Sequence, residues 1–271
     1  MFDKRMALAI LGAVTLVGVG VGFIVVQKEA VTPADVAPVG EAGAEPDSPD
    51  LGFTFPPAPS QPAGARLPPY RGAAVEVLRP DQKFLAQVEP AIYGKSKAEL
   101  ADLALSLGEN PLQPELWKRV AYIKHFYGDE IGTRDAYEYL NQIALDDPIP
   151  YYNLALVYAY YLGQPAQAIP KFEAALRLDP VNAEFHIGFA NFHRELFADL
   201  AASEAALLTG LGKLPGNINL TISLASLYRM MGNAAKAIAY YEQALAHSDL
   251  PPQSRMTIAE EVKRLKAGQG N

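Results

Sequence analysis

Hydrophobic and polar positions fall into three regimes along this chain. Met6 to Val26 is a run of 21 residues without a charge. Residues 27–79 are rich in Pro, Gly and Ala and poor in the aliphatic residues that build a core. From residue 80 onward, apolar side chains recur at helical spacing. Within this last regime Ala121, Ala155, Ala190 and Ala225 stand 34, 35 and 35 residues apart, each flanked three positions to either side by larger residues. A period in this range signals stacked helical repeats. Tyr151 to Pro180 shows the unit most clearly. Its apolar positions sit on both sides of Gly163-Gln164-Pro165, a turn signal, so the segment predicts helix, turn, helix. The second helix is expected to end at Leu178-Asp179-Pro180, because proline cannot continue it.

Flanking elements extend the pattern. Asp81–Tyr93 and Lys97–Leu107 predict an N-terminal helix pair, with Ser96-Lys97-Ala98-Glu99 as a capping box and Gly108 as a C-cap. Pro252–Lys266 predicts a charged amphipathic helix that covers the last repeat, as a solenoid's solubility requires. The domain reading is a stub at 1–5, a transmembrane anchor at 6–26, a Pro-rich disordered linker at 27–79, a helix pair at 80–113, repeats at 114–247 and a cap at 251–267. The repeats fall at about 114–148, 149–182, 183–217 and 218–250.

Asn153, Leu154, Ala155, Tyr158, Ala168, Phe172, Ala175 and Pro180 follow the pattern of the tetratricopeptide repeat, with one extra residue before the turn. Leu224, Ala225, Tyr228, Gly232, Ala237, Tyr241 and Ala244 follow it without insertion. The first repeat carries Trp117, Val120, Ala121, Gly128, Ala136, Leu140 and Pro148, with a turn at Asp129–Thr133 and Ile143 in place of the third alanine. The third keeps Phe189, Ala190, Leu207 and Pro215, while Ser203 and Gly210 replace alanines. Those substitutes are still small, and antiparallel helices approach closely only where side chains are short. The chain therefore resembles the tetratricopeptide-repeat (TPR) family over residues 114–247. The resemblance implies an all-α TPR-type solenoid of about four helix-turn-helix units.

The N-terminal regimes add a location. At 1.5 Å per residue Met6–Val26 spans roughly 30 Å, the depth of a bilayer's hydrocarbon core. Lys4 and Arg5 precede it, and Lys28 is offset by Glu29, Asp35, Glu41 and Glu45. The positive-inside rule then places the stub in the cytoplasm and the repeats outside it. A cleaved signal peptide is the rival. It would have a shorter apolar region with a small-x-small site close behind, whereas Ala42-Gly43-Ala44 lies far downstream. The expectation is a single-pass inner-membrane protein. Gly18 and Gly22 form a G-x-x-x-G that would let two such helices pack closely into a homodimer, although glycine is also simply common in membrane helices. Eleven prolines between Val31 and Pro80 favour an extended tether reaching on the order of 100 Å. It serves as a plain spacer or as a means of crossing a cell-wall layer.

Composition narrows the chemistry. A net charge of −7 and a pI near 5.2 argue against a nucleic-acid footprint, which needs clustered positive charge. The absence of cysteine excludes disulfides, thiolate metal sites and a cysteine nucleophile. His186 and His193 lie on one helix face, but they occupy offsets where large side chains pack in other repeats, and no third ligand is placed. Gly210-Leu211-Gly212-Lys213 lacks the glycine and the hydroxyl residue of a phosphate loop. Asp146-Asp147 and Glu260-Glu261 lie at a turn and on a polar face. No catalytic residue, metal site or cofactor is predicted, and the chain is not expected to be an enzyme.

What the resemblance does imply is a groove lined by the first helix of each repeat. Its ligand offsets fall at Lys118, Tyr122 and His125; at Tyr152, Leu156 and Tyr160; at Ile187, Asn191 and Arg194; and at Ile222, Ser226 and Arg229. Aromatic and arginine side chains are enriched where proteins hold partners. Of the family's carboxylate clamp, Lys118 and Asn153 match, while Tyr122, Glu184 and Gly188 do not. The expected work is protein binding: a membrane-anchored scaffold for a peptide or helix of a partner in a bacterial envelope assembly. The alternatives are an assembly factor that presents one client, as in cytochrome maturation, and a structural oligomer formed through Gly18 and Gly22.

Overall fold

The structure is a computed structural model that describes residues 69–268. Met6–Val26, with Gly18 and Gly22, and the linker through Pro68 lie outside the described residues. Among the described residues no helix is long and apolar enough to cross a membrane. All regular elements there are helical: α1 Gln82–Leu85, α2 Pro90–Glu109, α3 Pro114–Phe126, α4 Glu130–Ile143, α5 Pro148–Leu156, α6 Pro165–Leu178, α7 Ala183–Phe197, α8 Leu200–Lys213, α9 Ile218–Met230, α10 Ala234–Ala246 and α11 Pro252–Gly268. They form two compact units that divide between Phe185 and His186.

Helix starts are set by two devices. Pro90, Pro114, Pro148 and Pro165 open α2, α3, α5 and α6, where the missing N–H costs nothing. Asp129, Asp147, Asp199, Asn217 and Asn233 each accept a backbone N–H from the first turn that follows, at 2.9–3.1 Å, which removes one orphan donor per helix. Within repeats the turns are closed by left-handed residues: Gly128 at φ 77°, Gly163 at 63° and Gly232 at 73°. The third repeat has Ala198 at φ 52° instead, in a region that crowds its Cβ.

In the first unit α3 pairs with α4, and α5 with α6. Ala121, Ala136, Ala155, Ala168 and Ala175 are sealed at these crossings, beside Val120, Leu140, Leu154 and Phe172. In the second unit α8 packs on α9, α9 on α10 and α10 on α11. Ala225, Ala237 and Ala244 are sealed there, as are the stand-ins Ser203 and Gly210. A Cβ on Gly210 would come within 2.7 Å of His186 Cγ, so the third repeat exchanged an alanine for a glycine to admit an imidazole.

Four expectations change. The N-terminal pair is one helix, α2, running unbroken through Gly94-Lys95-Ser96, with only the short α1 before it. Pro90 supplies the start that the Ser96 box was expected to give, and Ser96 Oγ instead accepts a hydrogen bond from Tyr127 Oη at 3.0 Å. Gly108 is helical, and the C-cap is Asn110. The turn expected at Asp129–Thr133 lies earlier, because Asp129 is itself the N-cap of α4. The extra residue of the second repeat is absorbed by a π-helical turn at Val157–Tyr161 that continues α5, with Leu162 N–H donating to Val157 O at 3.0 Å. Such a wide turn accommodates one inserted residue without breaking the helix.

The last eleven residues expected in the linker behave differently from a tether. Residues 69–80 form a strap packed on α3 and α4. Tyr70 lies against Trp117 and Tyr139, with ring centroids at 4.7 and 5.7 Å, and Val75 is buried. Lys124, wholly buried, donates from Nζ to Val77 O and stands 3.7 Å from Asp129 Oδ2. That carboxylate also accepts the N–H of Arg79 at 3.2 Å. Burial lowers the Lys124 pKa, and the facing Asp129 opposes the shift. Gly132 is required beside this pair, since a Cβ there would fall 2.6 Å from Asp129 Oδ2 and 2.7 Å from Lys124 Cδ.

Candidate functional site

The first helix of each repeat presents one face to the core alanines and another away from them, and the expected binding residues are distributed unequally over those faces. In the first unit Lys118 and Tyr122 lie one turn apart on α3 and are both half-buried. Lys118 Nζ is 2.8 Å from Glu115 Oε1 and 2.6 Å from Asp147 Oδ2. Burial works against its charge, but the two carboxylates outweigh it and hold its pKa above the usual lysine value. It thus joins α3 to the capped start of α5. Tyr122 carries the Arg119 guanidinium 5.3 Å from its ring centroid. Arg119 is itself fixed by Glu99 of α2 at 2.5 and 2.8 Å. Tyr160 is half-buried on the π-helical turn. Next to it, Tyr161 meets the His125 ring edge-on at 4.9 Å, and His125 Nδ1 lies 2.9 Å from Glu130 Oε2.

Tyr152 and Leu156 are not on an open face. They are 5% and 2% exposed. The Tyr152 ring stacks on Phe185 at 4.7 Å and meets Phe172 edge-on at 5.7 Å, and its hydroxyl donates to Glu184 O at 3.4 Å. An aromatic side chain at this offset is long enough to span to the start of the next helix, so it becomes core. Burial accordingly raises its pKa. Asn153, the second clamp match, is also buried, and its Nδ2 donates to Tyr137 Oη at 3.2 Å.

In the second unit Ile187, Asn191 and Arg194 of α7 and Ile222 and Ser226 of α9 are all half-buried, and Arg229 is exposed. Members of the two sets stand 35 residues apart, one repeat. Arg194 pairs with its neighbour Glu195 at 2.5 Å. Arg229 Nε lies 3.6 Å from Glu261 of α11. The Glu261 carboxyl is held low mainly by its hydrogen bonds from Arg264, with Arg229 adding to the effect. The C-terminal helix therefore borrows one of the basic side chains assigned to the face.

The two histidines belong to packing. His186 is buried against Gly210. His193 is ringed by Phe189 at 4.5 Å, Phe192 at 5.4 Å and Phe197 at 6.3 Å, and burial pulls its pKa below the usual histidine value. Among the described residues no group of three His, Asp or Glu is arranged to hold a metal ion.

Two contacts escaped the sequence. Tyr158 Oη donates to Glu138, and Tyr228 Oη donates to Glu204. Each is a rung from a first helix to the second helix of the preceding repeat. Burial and the nearby carboxylate both raise the tyrosine pKa values. The signal was present, since Tyr158 and Tyr228 share one repeat offset, but their partners lie 20 and 24 residues upstream and so follow no single spacing.

Two tetratricopeptide repeat families match the chain, over residues 150–182 and 220–255. No curated protein matches its sequence. Among solved structures, it is similar to PilW, described as a widely conserved type IV pilus biogenesis factor, at 15% identity and a TM-score of 0.50, covering 69% of this chain and 87% of that one. It is similar to TTC0263, a thermophilic TPR protein of Thermus thermophilus, at 22% identity and a TM-score of 0.46, covering 66% and 95%. MamA is also similar, at 17% identity and a TM-score of 0.46, covering 53% and 82%. At these identities the likeness is one of fold.

Proposed function

The chain is a tetratricopeptide-repeat protein, and from that premise we propose that it is a scaffold holding an extended peptide or a helix of a partner protein. One observation carries this reading. Ile187, Asn191 and Arg194 recur one repeat later as Ile222, Ser226 and Arg229, all partly open, while the alanines beside them are sealed. Evenly spaced polar and apolar groups that the fold leaves open suit a ligand with its own regular spacing. In the first unit Tyr122 and Tyr160 are the corresponding candidates, and Tyr152 and Leu156 support the face from beneath. We assign no catalytic step to the chain. The apolar run Met6–Val26 is proposed to anchor it in the inner membrane with the repeats outside the cytoplasm, where it would serve an envelope assembly.

Photo-crosslinking residues installed in living cells test the binding face. Positions 191 and 226, one repeat apart, should capture the same partner, and Gln167, exposed on α6, should not. Capture from 167 alone would assign binding to the outer surface and refute the reading. Separately, deleting residues 6–26 should move the protein from the membrane to the soluble fraction. Continued sedimentation with membranes would refute the anchor without touching the binding face.

A further inference from the structure

The strap leaves a cavity of about 480 Å³ between itself, the C-terminal end of α2 and the base of α3. That volume lies in the range of sites that hold small ligands or a few side chains. Its walls are apolar: Leu107 on α2, Val75 on the strap, and the rings of Tyr70 and Trp117. Glu76 is the one charged residue among those lining it. That carboxylate is exposed and makes no ion pair among the described residues.

Gly108 makes the feature more than a packing gap. It lines the cavity from the last turn of α2, has no left-handed backbone that would call for glycine, and has nothing within 4 Å of where a Cβ would stand. Alanine would strengthen the helix at this position. Backbone geometry and crowding thus give no reason for the glycine, and only a large side chain in its place would reach across the cavity mouth.

We propose that this cavity receives an apolar side chain of a partner protein, followed at once by a basic residue that pairs with Glu76. Apolar walls with the Glu76 carboxylate as the one charged lining group match that chemistry. The site uses none of the residues of the inner faces described above, so its failure leaves that proposal standing.

Trp117 is the sole tryptophan of the chain and lines the cavity, so its emission reports occupancy directly. The full chain is titrated with acetyl-leucyl-arginine amide and, separately, with acetyl-leucyl-glutamate amide. The arginine peptide should give a saturable change with a dissociation constant on the order of 1 mM, as befits so small a ligand. The glutamate peptide should bind more weakly. Glu76→Gln should weaken the arginine peptide about threefold, an effect of the size an exposed charge pair gives and one that salt should diminish. Gly108→Phe should abolish the response, and Gly108→Ala should retain it. Should Gly108→Phe lose its helical circular dichroism, Glu76→Gln decides alone. Equal responses to both peptides, or none with the arginine peptide, would overturn the proposal. Binding seen only after Arg66→Ser and Leu67→Ser would also overturn it, since the occupant would then be the chain's own segment.

Discussion

Replacing Lys124 by methionine tests whether the strap is part of the fold. The methionine keeps the buried aliphatic stem and removes the charge. At 3.7 Å from Asp129, the attraction is about 4 to 5 kcal/mol at an effective dielectric near 20. Desolvating the two ions costs a similar amount, so the intact pair contributes little net stability. Breaking it is another matter. Asp129, 3% exposed, would keep the N–H groups of Gly132 and Arg79 but lose its counter-charge, and Val77 O would lose its donor. Lys124→Met should therefore cost about 3–5 kcal/mol. Asp129→Asn, which keeps the N-cap acceptor, should cost less. The double variant should recover about 1–3 kcal/mol relative to the sum of the single ones. Urea unfolding followed by circular dichroism measures the global loss, and Trp117 emission measures release of Tyr70 from its ring. A Lys124→Met loss below about 1 kcal/mol, with Trp117 emission unchanged, would refute the reasoning, since this is the size expected of an exposed pair.

Three further outcomes follow from single residues. Ala198→Gly should stabilise the chain by about 1 kcal/mol, because it relieves a left-handed Cβ that the other repeats avoid with glycine; thermal unfolding of the variant would check the direction. Tyr152→Ala should cost about 3–5 kcal/mol in urea unfolding, since the ring lies between Phe172 and Phe185. Tyr122→Ala, on the half-open face, should cost far less, and equal losses would contradict the division between core and face. His193 should make the fold acid-sensitive. Its folded pKa lies below its unfolded value of about 6.5, so the unfolded chain binds the extra proton. Stability should be fully present above about pH 6.5, fall as the pH drops through it, and level off below the folded pKa. His193→Gln should flatten that slope in urea midpoints taken between about pH 7 and 5.

The repeat fold was legible because its rule is steric and periodic. A small residue is needed wherever two helices cross, crossings recur every repeat, and Ala121, Ala155, Ala190 and Ala225 mark them. The same rule tolerated Ser203 and Gly210. Helix boundaries followed where proline spoke alone, as at Pro165 and at Leu178-Asp179-Pro180. They failed where two signals competed. The Ser96 box was read as a helix start and Pro90 as lying within the helix before it, but proline prevailed because its fixed φ and missing N–H suit the first turn, while nothing at Gly94 or Lys95 interrupts the backbone ladder. The strap was hidden for a different reason. Residues 69–80 carry the proline and glycine of a linker, and what orders them is a single ring seated on Trp117 and a buried lysine some 47 residues away, contacts that no local pattern announces.

The proposed binding face was legible as a set of offsets and not as a set of exposures. An offset fixes which direction a side chain leaves its helix, but the neighbouring helix decides whether that direction is open. At Ile187 and Ile222 the side chain is short enough to stay at the edge of the core. At Tyr152 the same direction carries a ring far enough to stack on Phe185, and the position is lost to packing. The inserted residue at Val157–Tyr161 acts the other way. A π-helical turn advances each residue by less than 100°, so the side chains after it are rotated relative to a regular helix, which brings Tyr161 edge-on to His125 and leaves Tyr160 half-buried. In a stack of similar units the sealed alanines are committed to packing, and such departures are what make one repeat's surface differ from the next. The second repeat's extra residue, the third repeat's glycine-for-alanine exchange that admits His186 and the strap on the first repeat are therefore where this chain differs from a generic stack of helices.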